Sequence, residues 1–204
     1  MAAEKIQTCG DLRAYYGEIN PRAARKQMPK LDAHARNFIA HSPFMVIASA
    51  GPSGSDASPK GDAPGFVQVL DERTLLIPDR PGNNRVDTMG NILDNPRVAL
   101  LFLVPGVNES LRVNGRARIT TDEALLRPLA VQGKAPRSGL LVEVEEVFLH
   151  CGKALIRSKL WDAGRHVDRR SFPSMGQMLA DQIGGLDPEA VQKEVEERYR
   201  TGLY

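Results

Sequence analysis

The sequence predicts a mainly β protein with helices: an antiparallel barrel of about six strands with helical extensions at both ends. Three observations lead there. Apolar or alternating runs of strand length recur through the middle, at 44–51, 66–71, 74–79, 97–106, 109–120 and 138–151. Only short helical segments separate them, which favours a closed antiparallel barrel over a βαβ sheet. Helix-start signals and four-residue charge pairs gather towards the two ends.

Composition narrows the class further. Of 204 residues, 42% are hydrophobic and 25% charged, which excludes collagen-like, disordered and disulfide-scaffold chains. Lys plus Arg number 27 against 25 acidic residues, a net charge of +2, so bulk nucleic-acid binding is not expected. Any basic site must be local. Cys9 and Cys151 form no spaced motif, which fits a reducing compartment. The opening MAAEKIQTCGDL lacks the apolar stretch of a secretory leader, and runs such as Val98 to Pro105 are too short to cross a bilayer. A cytoplasmic protein without membrane contact is expected.

Taken in order, Asn20-Pro21 caps and opens a helix over RAARKQM, and Asp32 caps AHARNFIAH before Ser42-Pro43. FMVIASAG is a strand closed by Gly51-Pro52, and the Gly/Pro/Ser/Asp-rich 51–65 reads as a loop or a bulged hairpin. FVQVLD and TLLIPD form a hairpin, RPGNNR a loop, and VDTMGNILDNP a helix ended by Pro96. RVALLFLVPG places Val98, Leu100, Phe102 and Val104 on one face. ESLRVNGRARIT carries Gly115 at its middle, the mark of a bulge or a close backbone approach. Thr120 and Glu123 have capping-box spacing for a helix that Pro128 shortens. SGLLVEVEEVFLHC returns to strand, with Glu145 and Glu146 expected on opposite faces, and KALIRSKLW to helix. Ser174 and Gln177 repeat the capping box. Asp187-Pro188 opens a last helix with Glu189–Lys193, Glu194–Arg198 and Glu196–Arg200 in pairing register, and with Val191, Val195 and Tyr199 on one side.

Few residues carry chemistry. Asp79-Arg80-Pro81-Gly82-Asn83-Asn84-Arg85 brings two guanidiniums and two amides to a strand-to-helix junction, which suits a phosphate monoester. An ordinary Pro-Gly turn with Asn84 as helix cap explains the same residues equally well. Ser58-Pro59-Lys60-Gly61-Asp62 with Pro64-Gly65-Phe66 opens a strand edge against which a flat heteroaromatic ring could lie, or is a surface loop. Arg112 with Asn114 and Gly115, and Arg157-Ser158-Lys159 with Trp161, are further candidates, the lone tryptophan serving core packing at least as well. The histidines His34, His41, His150 and His166 lack metal spacing, and neither a nucleophile elbow nor a dinucleotide fingerprint occurs.

In their order, SPFMVIASAG, SPKGDAPGFV, TLLIPDRPGNNRVDTMGNILDNPRVALLFLVPG, ESLRVNGRARIT and IRSKLWD resemble the pyridoxamine 5′-phosphate oxidase-like, FMN-binding split-barrel family, in particular its bacterial flavin-dependent branch of unknown substrate. The likeness spans roughly 30–165 and is most specific from Leu75 to Ile119. It implies one domain over 1–204, with a six-stranded split-barrel core at 30–165, an N-terminal helical segment at 1–29 and a helical tail at 170–204. It also implies a homodimer holding FMN in clefts between subunits. Arg80, Asn83, Asn84 and Arg85, with Asp79 beside them, match the family's phosphate grip. Lys60, Gly61, Asp62, Gly65, Phe66 and Val67 match the strand edge along the flavin ring, and Asn91 an amide on the next helix. Ser110 and Arg112 match a strand offered by the same or the partner subunit, and Lys159 and Trp161 a late contribution to the site.

The implied activity is hydride or electron transfer between flavin and a small-molecule substrate or a donor such as NAD(P)H. The alternatives are a non-catalytic or stress-linked flavin binder, or a haem or deazaflavin binder on the same barrel. The family's vitamin B6 oxidases clamp their substrate with late arginine and histidine residues, which 174–204 does not reproduce.

Overall fold

The computed structural model describes residues 6–204. The first five residues of the expected N-terminal helical segment lie outside the described residues. Helix α1 (Cys9–Tyr16) starts from a capping box between Thr8 and Asp11, and α2 (Pro21–Arg25) from the Asn20 side chain, which accepts the Arg22 amide. The expected continuation of α2 through RAARKQM does not form. Met28 instead exchanges backbone hydrogen bonds with Val147 at 3.0 and 2.8 Å, so sheet pairing wins over helix propensity. Helix α3 (Ala33–His41) is capped by Asp32 and buries Ala35 and Ile39.

Seven strands follow among the described residues: β1 (Phe44–Gly51), β2 (Gly54–Gly61), β3 (Gln68–Val69), β4 (Thr74–Pro78), β5 (Arg97–Leu103), β6 (Ser110–Thr120) and β7 (Gly139–His150). They form one antiparallel sheet in the order β2-β1-β5-β6-β7-β4-β3. The expected mainly β class with helices holds, with seven strands rather than six. The sheet does not close by hydrogen bonding, since β2 and β3 are left as edges. Its concave face still converges: Met45, Ile47, Leu75, Ile77, Leu100, Phe102, Val113 and Val142 join one buried cluster, so the sheet is coiled around its core. Leu76 and Leu141 face the other way and are covered by Leu126 of α5 (Glu123–Leu126).

Two strand assignments differ from expectation. Much of 51–65 is strand, and β2 pairs with β1 without interruption from Phe44↔Gly61 to Gly51↔Gly54. GSDASPKG has little β propensity, and Pro59 is tolerated because an edge strand needs only one hydrogen-bonded side. Conversely the 66–79 hairpin is short: β3 has two residues, and Phe66 and Val67 bury their side chains outside the ladder.

Between Asn114 and Gly115 the β6–β7 register shifts. The extra residue lies on β7, whose buried positions change parity from Val142 and Val144 to Val147. Glu145 and Glu146 consequently both avoid the core, contrary to simple alternation, with Asn114 donating to Glu146 at 2.7 Å.

Helix α4 (Asp87–Asp94) packs on β1, where Asn91 donates to Ser49 Oγ at 3.0 Å. The Thr120–Glu123 box does not form. Asp122 caps α5 by accepting the Ala124 amide, while Thr120 Oγ1 accepts the amide of Asp122. Pro128 ends α5 early in a 3₁₀ turn, as expected. Helix α6 (Lys153–Ser158) stops before the expected Trp161 because Lys159 turns left-handed, at φ 51°. Ser174 caps α7 (Met175–Ile183), and Asp187 caps α8 (Pro188–Thr201). Gln177 bonds Asp181 rather than closing its box. Glu194–Arg198 forms, but Arg200 turns to Glu197, and Gln192 takes Glu196. No described helix is long and apolar enough to cross a membrane.

A Cβ on Gly115 would lie 2.0 Å from the Glu143 carbonyl oxygen, a rigid backbone atom, whereas one on Gly90 would meet nothing within 4 Å. Gly115→Ala is expected to cost about 1–3 kcal/mol of stability. Gly90→Ala, inside α4, should be neutral or gain up to about 1 kcal/mol. Urea unfolding of both variants checks the contrast.

Candidate functional site

The chains leaving β2 and β4 run side by side across the open edge of the sheet and are joined twice. Lys60 Nζ, at the end of β2, lies 3.5 Å from Asp79 Oδ1, just past β4. Arg80 Nε donates to Asp62 Oδ2 at 2.5 Å, so cation and anion change strands between the two pairs. Backbone bonds fix both exits: the Asp62 amide donates to the Pro43 carbonyl and the Asp79 amide to the Ser138 carbonyl, each at 3.0 Å.

Asp62 is the centre of this join. Its side chain is 3% exposed, and its carboxylate accepts from Arg80, from the Ala63 amide at 2.7 Å and from the Tyr204 hydroxyl at 2.8 Å. Burial, the largest influence, works against its ionisation. The bonds from Tyr204, Ala63 and Arg80 together outweigh burial and hold its carboxyl below the usual carboxylate range. Arg80 also donates to the Leu129 carbonyl at 2.9 Å and has its guanidinium over the Tyr204 ring.

Next comes the turn into α4. Asn83 Oδ1 accepts the Arg85 amide at 3.1 Å, and Asn84 is left-handed, at φ 59°. Val86, at φ 53°, is the N-cap and provides no side-chain bond to the first helical amides. A β-branched residue there carries strain of order 1–3 kcal/mol. Because Val86 holds the N-cap position, the Asn84 cap of the ordinary-turn alternative does not form. Arg85 pairs with Asp87 at 2.7 Å while remaining 72% exposed. Behind the turn, buried Thr88 donates towards Ser58 Oγ and Asp56 at 3.1 and 3.2 Å, and Ser58 donates to Asp56 at 2.8 Å.

These elements enclose a cleft of about 870 Å³, completed by the turn at 134–137 and by Tyr204. Lys60, Arg80, Arg85, Lys134 and Arg137 line it against the carboxylates of Asp79 and Asp87, so it is electropositive although the chain is nearly neutral. No histidine lines it among the described residues.

Of the sequence candidates, Lys60, Gly61, Phe66, Asp79, Arg80, Asn83, Asn84 and Arg85 line this one cleft, and Asp62 stands directly behind Arg80. Val67 belongs to the core, and Gly65 is left-handed, at φ 78°, close to the Ala40 carbonyl. Asn91 points to β1 and fastens α4 there. Ser110 is buried at the start of β6, and Arg112 lies over the Phe148 ring, 5.4 Å from its centroid. Trp161 donates from its indole nitrogen to the Val107 carbonyl at 2.9 Å, with Lys159 two residues before it. These last four do not line this chain's cleft. Sequence reasoning missed Lys134, Arg137, Thr88 and Tyr204. Gln132-Gly133, both left-handed, mark the first of these turns, but nothing local points Tyr204 at residues 142 positions away.

An antiparallel sheet coiled around its core, with a cation-lined cleft where its edges part, has the architecture of a split barrel. The family model described as Pyridoxamine 5′-phosphate oxidase matches residues 31–151, more than half of the chain, and the protein belongs to that family. No curated protein matches it. Similar solved structures include HupZ of Group A Streptococcus, at 18% identity and TM-score 0.49, covering 58% of this chain and 93% of that one. An FMN-binding protein from Syntrophomonas wolfei has 12% identity and TM-score 0.46, covering 70% and 96%. General Stress Protein 26 from Bacillus anthracis has 14% and 0.43, covering 57% and 93%.

Asp62→Asn leaves Arg80 facing a neutral amide in a nearly buried position, and should cost about 3 kcal/mol. Because the folded-state carboxyl of Asp62 is held low, its contribution is full above the unfolded carboxyl range near pH ~4 and is lost as pH falls through the lower folded value. Urea midpoints measured against pH should fall more steeply on the acid side in the wild type than in Asp62→Asn.

Proposed function

We propose that the cleft binds FMN, and that the protein is an FMN-dependent oxidoreductase of the pyridoxamine 5′-phosphate oxidase-like class, working as a homodimer on a small molecule or NAD(P)H. The observation that carries this reading is the charge of the cleft: five cations and two carboxylates around about 870 Å³ at the split of the barrel. A phosphate monoester dianion suits Arg85, Lys134 and Arg137 and the helix start at Asp87, where no side chain caps the amides. A planar ring with hydrogen-bonding edges suits β2, an edge strand whose outer backbone groups have no ladder partner, with Phe66 supplying apolar surface. The residues fit the cofactor.

FMN, when bound, supplies the redox chemistry; the chain supplies binding, orientation and electrostatics. Both carboxylates lining the cleft are paired, Asp79 with Lys60 and Asp87 with Arg85, so neither is poised as a free acid or base. That favours a protein whose side chains position reactants rather than move protons. It also keeps open a flavin binder without turnover. A haem reading lacks a histidine in the cleft. Ser110, Arg112, Lys159 and Trp161 lie off this chain's cleft, and in the homodimer reading they serve the partner's.

Purified protein mixed with FMN is expected to turn yellow and to bind one FMN per chain. Lys60→Met should weaken FMN about tenfold, the loss of one partly exposed charge-assisted contact. It should also lower the flavin midpoint potential, because a cation near the ring stabilises the reduced anion. Arg112→Ala should weaken FMN in a dimer with shared clefts. Fluorescence titration, potentiometry and light scattering test these outcomes. Absence of FMN binding contradicts the reading, and binding without NAD(P)H-driven turnover reduces it to the flavin-binding alternative.

A further inference from the structure

Among the described residues, every side-chain hydrogen bond and ion pair from 174–204 to the rest of the chain is made at Tyr204. Helices α7 and α8 pack on each other, tightly enough that a Cβ on Gly176 would lie 2.2 Å from the Pro188 carbonyl oxygen. Neither helix has substantial packing against the strands. Beyond α8, Leu203 is exposed and Tyr204 turns into the cleft. There its hydroxyl donates to Asp62 at 2.8 Å, its ring faces the Arg80 guanidinium 5.8 Å from the centroid, and its carbonyl accepts from Lys134 at 2.8 Å. Three elements that build the cleft, the exits of β2 and β4 and the 134–137 turn, thus converge on one residue, which follows an otherwise separate helical hairpin.

We propose that Tyr204 is the latch of a lid formed by α7 and α8: docked on Asp62, Arg80 and Lys134 it closes one wall of the cleft, and its release opens the cleft to ligand exchange. The lid itself is independent of what the cleft holds; the ligand named in the test rests on the flavin reading above. Docking leaves the cleft open enough for an FMN-sized molecule, so latch and ligand are compatible and the latch retards escape. It also ties up Lys134, which a released latch returns to the cleft.

The charged and titratable groups facing Tyr204 are Asp62, Arg80 and Lys134. Its hydroxyl, bonded to the Asp62 carboxylate, is held above the usual phenol range, with burial and the Asp62 charge acting the same way and Arg80 opposing them. A raised folded value means that docking is complete below the unfolded phenol range and is lost as pH rises through the folded one. Protonation of Asp62 removes the charge that strengthens this acceptor on the acid side.

Amide hydrogen exchange over residues 196–204 and FMN release measured by stopped-flow fluorescence, in full-length wild type, Tyr204→Phe and Tyr204→Ala, test the latch. Exchange without ligand should speed up several-fold in Tyr204→Phe and further in Tyr204→Ala, while exchange in β5 and β6 stays as in the wild type. FMN release should quicken above pH ~10 more steeply in the wild type than in Tyr204→Phe, which keeps the ring and the cleft's lysines and has no ionisable hydroxyl. Equal tail exchange in all three proteins overturns the latch, as does the same alkaline rise in Tyr204→Phe. If wild type fails to bind FMN, the flavin reading falls, and the exchange difference alone decides the latch.

Discussion

Two ion pairs of opposite sense, Lys60 with Asp79 and Asp62 with Arg80, hold the exits of β2 and β4 together where the sheet leaves its edges unpaired. Without a backbone ladder across that gap, side chains set the separation of the two edges, and with it the width of the cleft. The deeper pair is costly to bury: Asp62 is 3% and Arg80 17% exposed. It persists because each partner is bonded further, Asp62 by Ala63 and Tyr204, Arg80 by Leu129. A pair held from both sides in this way fixes position, and position is what a ligand cleft requires.

The same join explains the distribution of charge. The chain carries a net charge of +2, yet the cations lining the cleft outnumber the carboxylates five to two. Lys60 and Arg80 are neutralised in holding the wall, and Arg85 is paired at its rim. Arg137 has no hydrogen-bonded or ion-paired partner among the described residues, and Lys134 is bound only by a carbonyl. The excess positive potential therefore lies on the side of the 134–137 turn, a segment that strand and helix periodicity passes over.

Much of the fold was legible because its core strands are locally consistent. Val98, Leu100 and Phe102, or Leu140, Val142 and Val144, alternate as a half-buried strand must, and the structure buries them. Legibility failed where partners rather than propensity decide the outcome. β2 is a strand only because β1 pairs with it, Met28 leaves its helix because Val147 receives it, and Glu145 and Glu146 share a side because of a bulge. Within the site, Lys60, Asp79, Arg80 and Arg85 could be found because turn chemistry gathers them near two strand ends. Their mutual pairing, and the arrival of Tyr204 from the far end of the chain, are tertiary facts with no local sign. Arg112, Lys159 and Trp161 were singled out by their chemistry and by the family resemblance, Asn91 and Ser110 by the resemblance alone, and none of these lines the cleft of the single chain.

In the flavin reading, the cleft's cations recognise a phosphate monoester. Calorimetric titration of the full chain with FMN and with riboflavin, at low and moderate salt, addresses it directly, since the two ligands share the ring and differ in the phosphate. FMN should bind far more tightly than riboflavin, with an advantage that shrinks as salt screens the charges. Equal affinities, insensitive to salt, would contradict the account.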